Sequence, residues 1–138
     1  MLDLLQALGN DRQYPGLPEH FMLPAPIKAP IDVSILQQVD VRVGRIESVS
    51  PIEAADQLVV LRVNFGDHTR TIVAGLKQER ANPREIEGKQ ALFVVNVPPR
   101  KMRGVVSEGM LFDIGYADGV TPVLAVPESP VPDGARAG

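Results

Sequence analysis

Apolar positions in the middle of the chain repeat with a period of two. Val41 and Val43 share one parity; after Gly44 the apolar phase moves to Ile46 and then to Val49. A glycine at such a phase shift predicts a bulge or bend inside the strand. Over 57–65 (QLVVLRVNF), Val59, Leu61, Val63 and Phe65 fall on one face. Gly66-Asp67 then turns the chain into 69–75 (TRTIVAG), a hairpin signal. The run 89–97 puts Ala91, Phe93, Val95 and Val97 on one face, and 110–114 alternates with Met110, Phe112 and Ile114. Phe65, Phe93 and Phe112 therefore read as core. A sixth short strand is predicted over 122–126. Asn82-Pro83 followed by Gly88 supplies an N-cap, a first-turn proline and a stop, which predicts one short helix between the third and fourth strands.

Strands in this order make an all-β chain. The OB-fold, a five-stranded Greek-key barrel with a helix between strands 3 and 4, fits it, and a bent first strand can serve two sheets. On pattern alone, SH3-like barrels and sandwiches compete. Ahead of the strands, Pro15, Pro18, Pro24, Pro26 and Pro30 exclude helix from 15–30. Leu2, Leu5 and Leu8 before Gly9 suggest a short helix at the start. Residues 1–36 thus form a short helix and proline-rich extended arm, and 37–138 the barrel domain.

Both faces of 57–65 are apolar, since Leu58 and Val60 oppose Val59, Leu61 and Val63; Leu92 and Val94 repeat this in the next strand. One small barrel has one interior, so the second face needs a partner chain or the arm as cover. A homodimer is expected.

Composition narrows the chemistry. The 138 residues contain no cysteine and two histidines, His20 and His68. This excludes disulfides, thiolate metal sites, a cysteine nucleophile and a multi-histidine metal site within one chain. No metal, cofactor or catalytic role is expected. No apolar run approaches the ~18 residues of a membrane span, and the N-terminus starts acidic, with too short an apolar run for a signal peptide. The expected location is the cytoplasm, without a membrane partner. The net charge of −3 is uneven: residues 40–111 hold eleven Lys/Arg against nine Asp/Glu, while both ends are acidic. This balance argues against a bulk-charge DNA packager and leaves room for a small local basic patch.

That patch is Arg100-Lys101-Met102-Arg103, between Pro98-Pro99 and Gly104. The prolines fix an extended exit from the fourth strand, and the glycine lets the chain turn. The three cations would project from a loop, offering donors to phosphates. The surrounding residues resemble the tRNA-binding OB module found at the C-terminus of many methionyl-tRNA synthetases and in stand-alone tRNA-binding and CsaA-like proteins. The matching residues are Asp40-Val41-Arg42-Val43-Gly44, Ala55-Asp56 with Leu58, and Ile72-Val73-Ala74-Gly75-Leu76. Asn96, Pro99-Arg100-Lys101-Met102-Arg103-Gly104, Ser107-Glu108-Gly109-Met110 and the tail Pro127 … Val131-Pro132-Asp133-Gly134 complete the match.

The resemblance implies structure-specific, non-catalytic binding to folded tRNA by a homodimer, with a synthetase or an unfolded polypeptide as further partner. A CsaA-like chaperone that binds apolar polypeptide segments is the alternative. The RNA-contact candidates are Arg42, Asn96, Arg100, Lys101, Arg103 and Ser107. Arg42 either faces the binding groove or forms an ion pair on the barrel wall. Asn96 either meets a base or sugar or satisfies the loop backbone, and Ser107 either donates to phosphate or caps the loop. Glu108 is expected to orient nearby arginines, Met102 and Met110 to pack, and His68 to be solvated. Two departures from the family stand out: Gln57 where a lysine is frequent, and Ile52-Glu53-Ala54 where His-Pro-Asn is frequent. With few aromatics outside the core, recognition of RNA shape and backbone is favoured over stacking on single strands.

Overall fold

The structure, a computed structural model, describes residues 24–53, 55–76 and 80–138. The short helix expected near Leu2–Leu8 lies outside them. The described arm adds an exposed helical turn, α1 (Val33–Gln37), N-capped by Asp32, whose side chain accepts from the Ser34 amide at 2.9 Å.

Ten strands follow: β1 (Val41–Ile52), β2 (Ala55–Asn64), β3 (Thr69–Ala74), β4 (Gln90–Val94), β5 (Arg100–Met102), β6 (Val105–Ser107), β7 (Met110–Leu111), β8 (Asp113–Ile114), β9 (Val123–Leu124) and β10 (Arg136–Ala137). The main sheet runs β3-β2-β1-β4-β7, with β10 also on β1; β5–β6 and β8–β9 are separate pairs. The expected helix is a single 3₁₀ turn, Pro83–Ile86, capped by Asn82 and plugging the core with buried Ile86.

The fold is OB-like, and its ladder stays open. The end of β6 and the residue after it bond the free edge of β3: the Glu108 amide donates to Thr71 O at 2.8 Å, and the Val73 amide to Ser107 Oγ at 3.0 Å. Long β1 serves two major partners besides the short β10. Its first half pairs with β4 (Arg42 opposite Phe93), and its second half pairs with β2 (Val49 opposite Leu61).

The β1 bulge falls at Glu47, between the Ile46 and Ser48 pairings, rather than at Gly44. The extra residue lets Ile46 and Val49, three apart, both face the core. Gly44 serves close packing instead. A Cβ there would run into the Val63 side chain and stand 2.8 Å from the Phe65 ring.

The core is as the alternation predicts for most of β2 to β4: Val59, Leu61, Val63, Ile72 and Phe93 are fully buried. Val97, expected on the same face, is exposed, because β4 ends at Val94. Each such side chain contributes on the order of 1.5–3 kcal/mol by leaving water. The phase of 110–114 is the reverse of expectation. Register sets Leu111 opposite Phe93, so Leu111 packs on the core while Met110, Phe112 and Ile114 are exposed, Phe112 at 46%. The alternation is present, but its more apolar side faces out.

The second face of β2 has a cover from within the chain. Leu58 and Val60 pack with Ile52, Ala55 and Val73 under Met102 and Val105 of the β5–β6 hairpin. Leu92 stays open, in a groove of about 610 Å³ lined by Leu36, Val39, Val41 and Phe112 among others.

Candidate nucleic-acid interface

The basic segment is a β-hairpin rather than an irregular loop. Arg100 pairs with Ser107, Lys101 with Val106 and Met102 with Val105. Arg103 and Gly104 form the two-residue turn, with φ of 49° and 85°. Two positive φ values match the twist of the flanking strands, and Gly104 adopts one without strain. Met102 and Val105 point down onto the apolar patch of β2 and β3, and alternation turns Lys101 and Val106 outward. Arg100, at the open end of the hairpin, and Arg103, in its turn, are exposed as well. Among the described residues, none of these three cations is ion-paired. The hairpin tip lies by the start of β2: Arg103 shares a cleft of about 370 Å³ with Asp56, Gln57 and Leu58. Gln57 therefore lies beside the hairpin's cations.

The other candidates are engaged by the chain itself. Arg42 donates twice to Asp40 (2.8 and 3.1 Å) and once to Gly134 O (3.3 Å). Arg136 also reaches Asp40, at 3.2 Å. The Arg42 hydrogen bonds, with help from Arg136, pull the Asp40 carboxyl down to about 2. Asn96 uses both ends of its amide: Oδ1 accepts from the Asp40 amide at 2.8 Å and Nδ2 donates to Gln38 O at 2.6 Å. Ser107 is buried; its hydroxyl accepts from the Val73 amide and donates to Gly109 O, both at 3.0 Å. Its only proton is committed inside the fold. Glu108 does not grip arginines with its carboxylate, which accepts from the Thr71 amide at 2.9 Å. Its main-chain oxygen receives Arg70 Nη1 at 2.9 Å.

Arg70 and His68 were missed as site residues. Arg70 also donates to Val95 O at 2.6 Å and lies over the Phe65 ring at 5.8 Å. Far from simply solvated, His68 stacks on Phe65 and bonds Asp67 and Arg70. A signal was available. Arg42 and Arg70 sit on core parity, opposite Phe93 and Val63. A cation in phase with the core at a strand's end has to emerge at the rim of the sheet.

A family model described as "Putative tRNA binding domain" matches residues 41–136. The chain belongs to this tRNA-binding domain family. The domain is 38% identical over 99 residues to the methionine–tRNA ligase of Bacteroides fragilis, covering 72% of this chain and 14% of the ligase. It therefore spans only a small fraction of that relative's length. A MetRS-related protein from Pyrococcus horikoshii superposes with a TM-score of 0.74 at 34% identity, over 80% of this chain and 100% of that one. The chaperone CsaA from Bacillus anthracis superposes with a TM-score of 0.68 at 24% identity, over 80% and 100%; that likeness shows the fold alone. Among the described residues of the tRNA-binding domain, no helix is long and apolar enough to cross a membrane. They also contain no group of three or more metal-ligating side chains.

Proposed function

We propose that the chain is a non-catalytic protein that binds folded tRNA, with the β5–β6 hairpin gripping the RNA backbone through Arg100, Lys101 and Arg103. One observation carries this reading: three exposed cations, without an ion-pair partner among the described residues, stand on a hairpin packed on the sheet through Met102 and Val105. A fixed hairpin presents its charges in one geometry, so less side-chain and loop ordering opposes binding. The sequence relation to methionine–tRNA ligases supports tRNA as the ligand and a synthetase as a partner. Arg42 and Arg70 at the rim add positive potential, but much of their hydrogen-bonding capacity is already used. Asn96 and Ser107 shape the loops rather than touch RNA.

We further propose a cytoplasmic homodimer. The support is the groove along Leu36, Val41, Leu92 and Phe112, with Met110 and Ile114 exposed nearby. The same groove favours the second reading, a chaperone holding apolar polypeptide.

Titration with bulk tRNA at 50 and 200 mM salt tests the reading. Six phosphate contacts from two hairpins would weaken binding by roughly 10³ across that range. Flat salt dependence, or no binding at 50 mM together with suppressed aggregation of an unfolded protein, would favour the chaperone. Light scattering at micromolar concentration reads the dimer; a persistent monomer refutes it.

A further inference from the structure

Beside the hairpin's base, the rim holds an aromatic pair that backbone contacts do not use. His68 lies on Phe65 with ring centroids 5.5 Å apart and planes at 22°. Arg70 Nε donates to His68 Nε2 at 3.0 Å. A guanidinium only donates, so Nε2 carries no proton. Nδ1 then holds the hydrogen and donates to Asp67 Oδ1 at 2.6 Å. With one face on Phe65 and both nitrogens bonded, the ring is held in one orientation. Its side chain is nevertheless 46% exposed, and the surface left over is the outer face and the carbon edge.

The adjoining cavity, about 190 Å³, is lined by Asp40, Arg42, Asp67 and Arg70 with the aromatic pair. Typical small-molecule sites run to about 300–1,000 Å³, so this one suits a single ring system. Two carboxylates offset two guanidiniums, which argues against a phosphate. What remains is a mixed set: carboxylate acceptors, and guanidinium N–H groups beyond the three that Arg42 and Arg70 each commit. A nucleobase edge presents the matching mixture of donors and acceptors.

The site is continuous with the hairpin. Arg70 bonds the main chain of Glu108, which follows Ser107, the partner of Arg100. An RNA strand whose phosphates follow Arg103, Lys101 and Arg100 arrives at this rim. We propose that one unpaired RNA base stacks on the outer face of His68, with its polar edge toward Asp40, Arg42 and Arg70. This rests on the RNA-binding reading above and adds a base contact to it.

The test uses a single-stranded RNA hexamer carrying 2-aminopurine, alongside bulk tRNA, with circular dichroism confirming each fold. Wild type is expected to shift the 2-aminopurine emission on binding. His68→Ala is expected to abolish the shift and weaken hexamer binding by about 5- to 150-fold, as for loss of one stacking side chain, leaving the salt slope unchanged. His68→Phe, which keeps a flat ring, is expected to retain both. If His68→Ala binds and shifts emission like wild type, or a folded His68→Phe behaves like a non-binder, the platform is refuted while salt-dependent tRNA binding stands. If wild type binds no RNA at 50 mM salt, both proposals fall together.

Discussion

Arg42, Arg45, Arg70 and Arg136 are each held by carboxylates or carbonyls of their own chain. Arg100, Lys101 and Arg103 are exposed, and among the described residues none of them is held in this way. The first group closes the fold. Arg45 ties Asp133 of the C-terminal tail and Gly88 O to β1, while buried Gln90 bonds Val131 and Asp133. The hairpin that carries the second group is held to the sheet by Met102 and Val105 and by the Ser107 hydroxyl, which accepts from the Val73 amide. Cation count is therefore a poor guide to a phosphate footprint, because guanidiniums already bonded have less to offer.

The strongest way to break this contrast is to replace Arg100, Lys101 and Arg103 together by alanine. tRNA affinity should drop by about 10² or more at 50 mM salt, and the log–log salt slope should shallow by about three per chain. Either arginine alone should cost about 1.5–3 kcal/mol of binding. Melting temperature should hold, since exposed side chains away from caps and cores contribute little to stability. Unchanged binding by the folded triple variant would overturn the hairpin assignment.

Ser107→Ala should do the opposite. It removes the partner of the Val73 amide in a buried site and should cost about 1–3 kcal/mol of stability, read by urea denaturation. Affinity measured where the variant is fully folded should match wild type. A selective loss of affinity would return Ser107 to the RNA contacts.

Acid sharpens the structural half. The Asp40 carboxyl lies near 2 in the folded chain against 3.8 ordinarily. A depressed folded value means that its contribution is complete above about 4 and is lost as pH falls toward 2. The pair is partly solvated, so the amount is about 1 kcal/mol. Asp32 and Asp67 are also lowered, by the Ser34 amide and by His68. The informative measurement is thus the difference between wild type and Asp40→Asn in thermal unfolding from pH 5 to pH 2. That difference should shrink with acid; a constant gap would refute the linkage.

The smallest effect is a gain. Gln57 lines the cleft beside Arg103, so Gln57→Lys should steepen the salt slope by about one per chain and tighten binding at 50 mM salt. No change would place RNA on the far side of the hairpin.

Period-two alternation made the buried sides of β2, β3 and β4 legible, and turn chemistry at Gly66-Asp67 and Asn82-Pro83 placed their connections. The cationic string was legible for its spacing and for its resemblance to a family. Three features were not. The exposed row Met110, Phe112 and Ile114 is more apolar than Leu111, so composition pointed it inward, whereas pairing with β4 turned it out. The roles of Asn96 and Ser107 depend on partners 58 and 34 positions away. The cover of Leu58 and Val60 comes from a hairpin more than forty residues on.

By itself, then, the order of residues determined the strands, their core faces and where positive charge concentrates, because these are local consequences of pleat, turn geometry and side-chain type. Which cations stay free, which apolar face is covered and which way 110–114 points were decided only by tertiary structure. Each depends on a register between distant strands, and a one-residue difference in register exchanges the buried face for the exposed one.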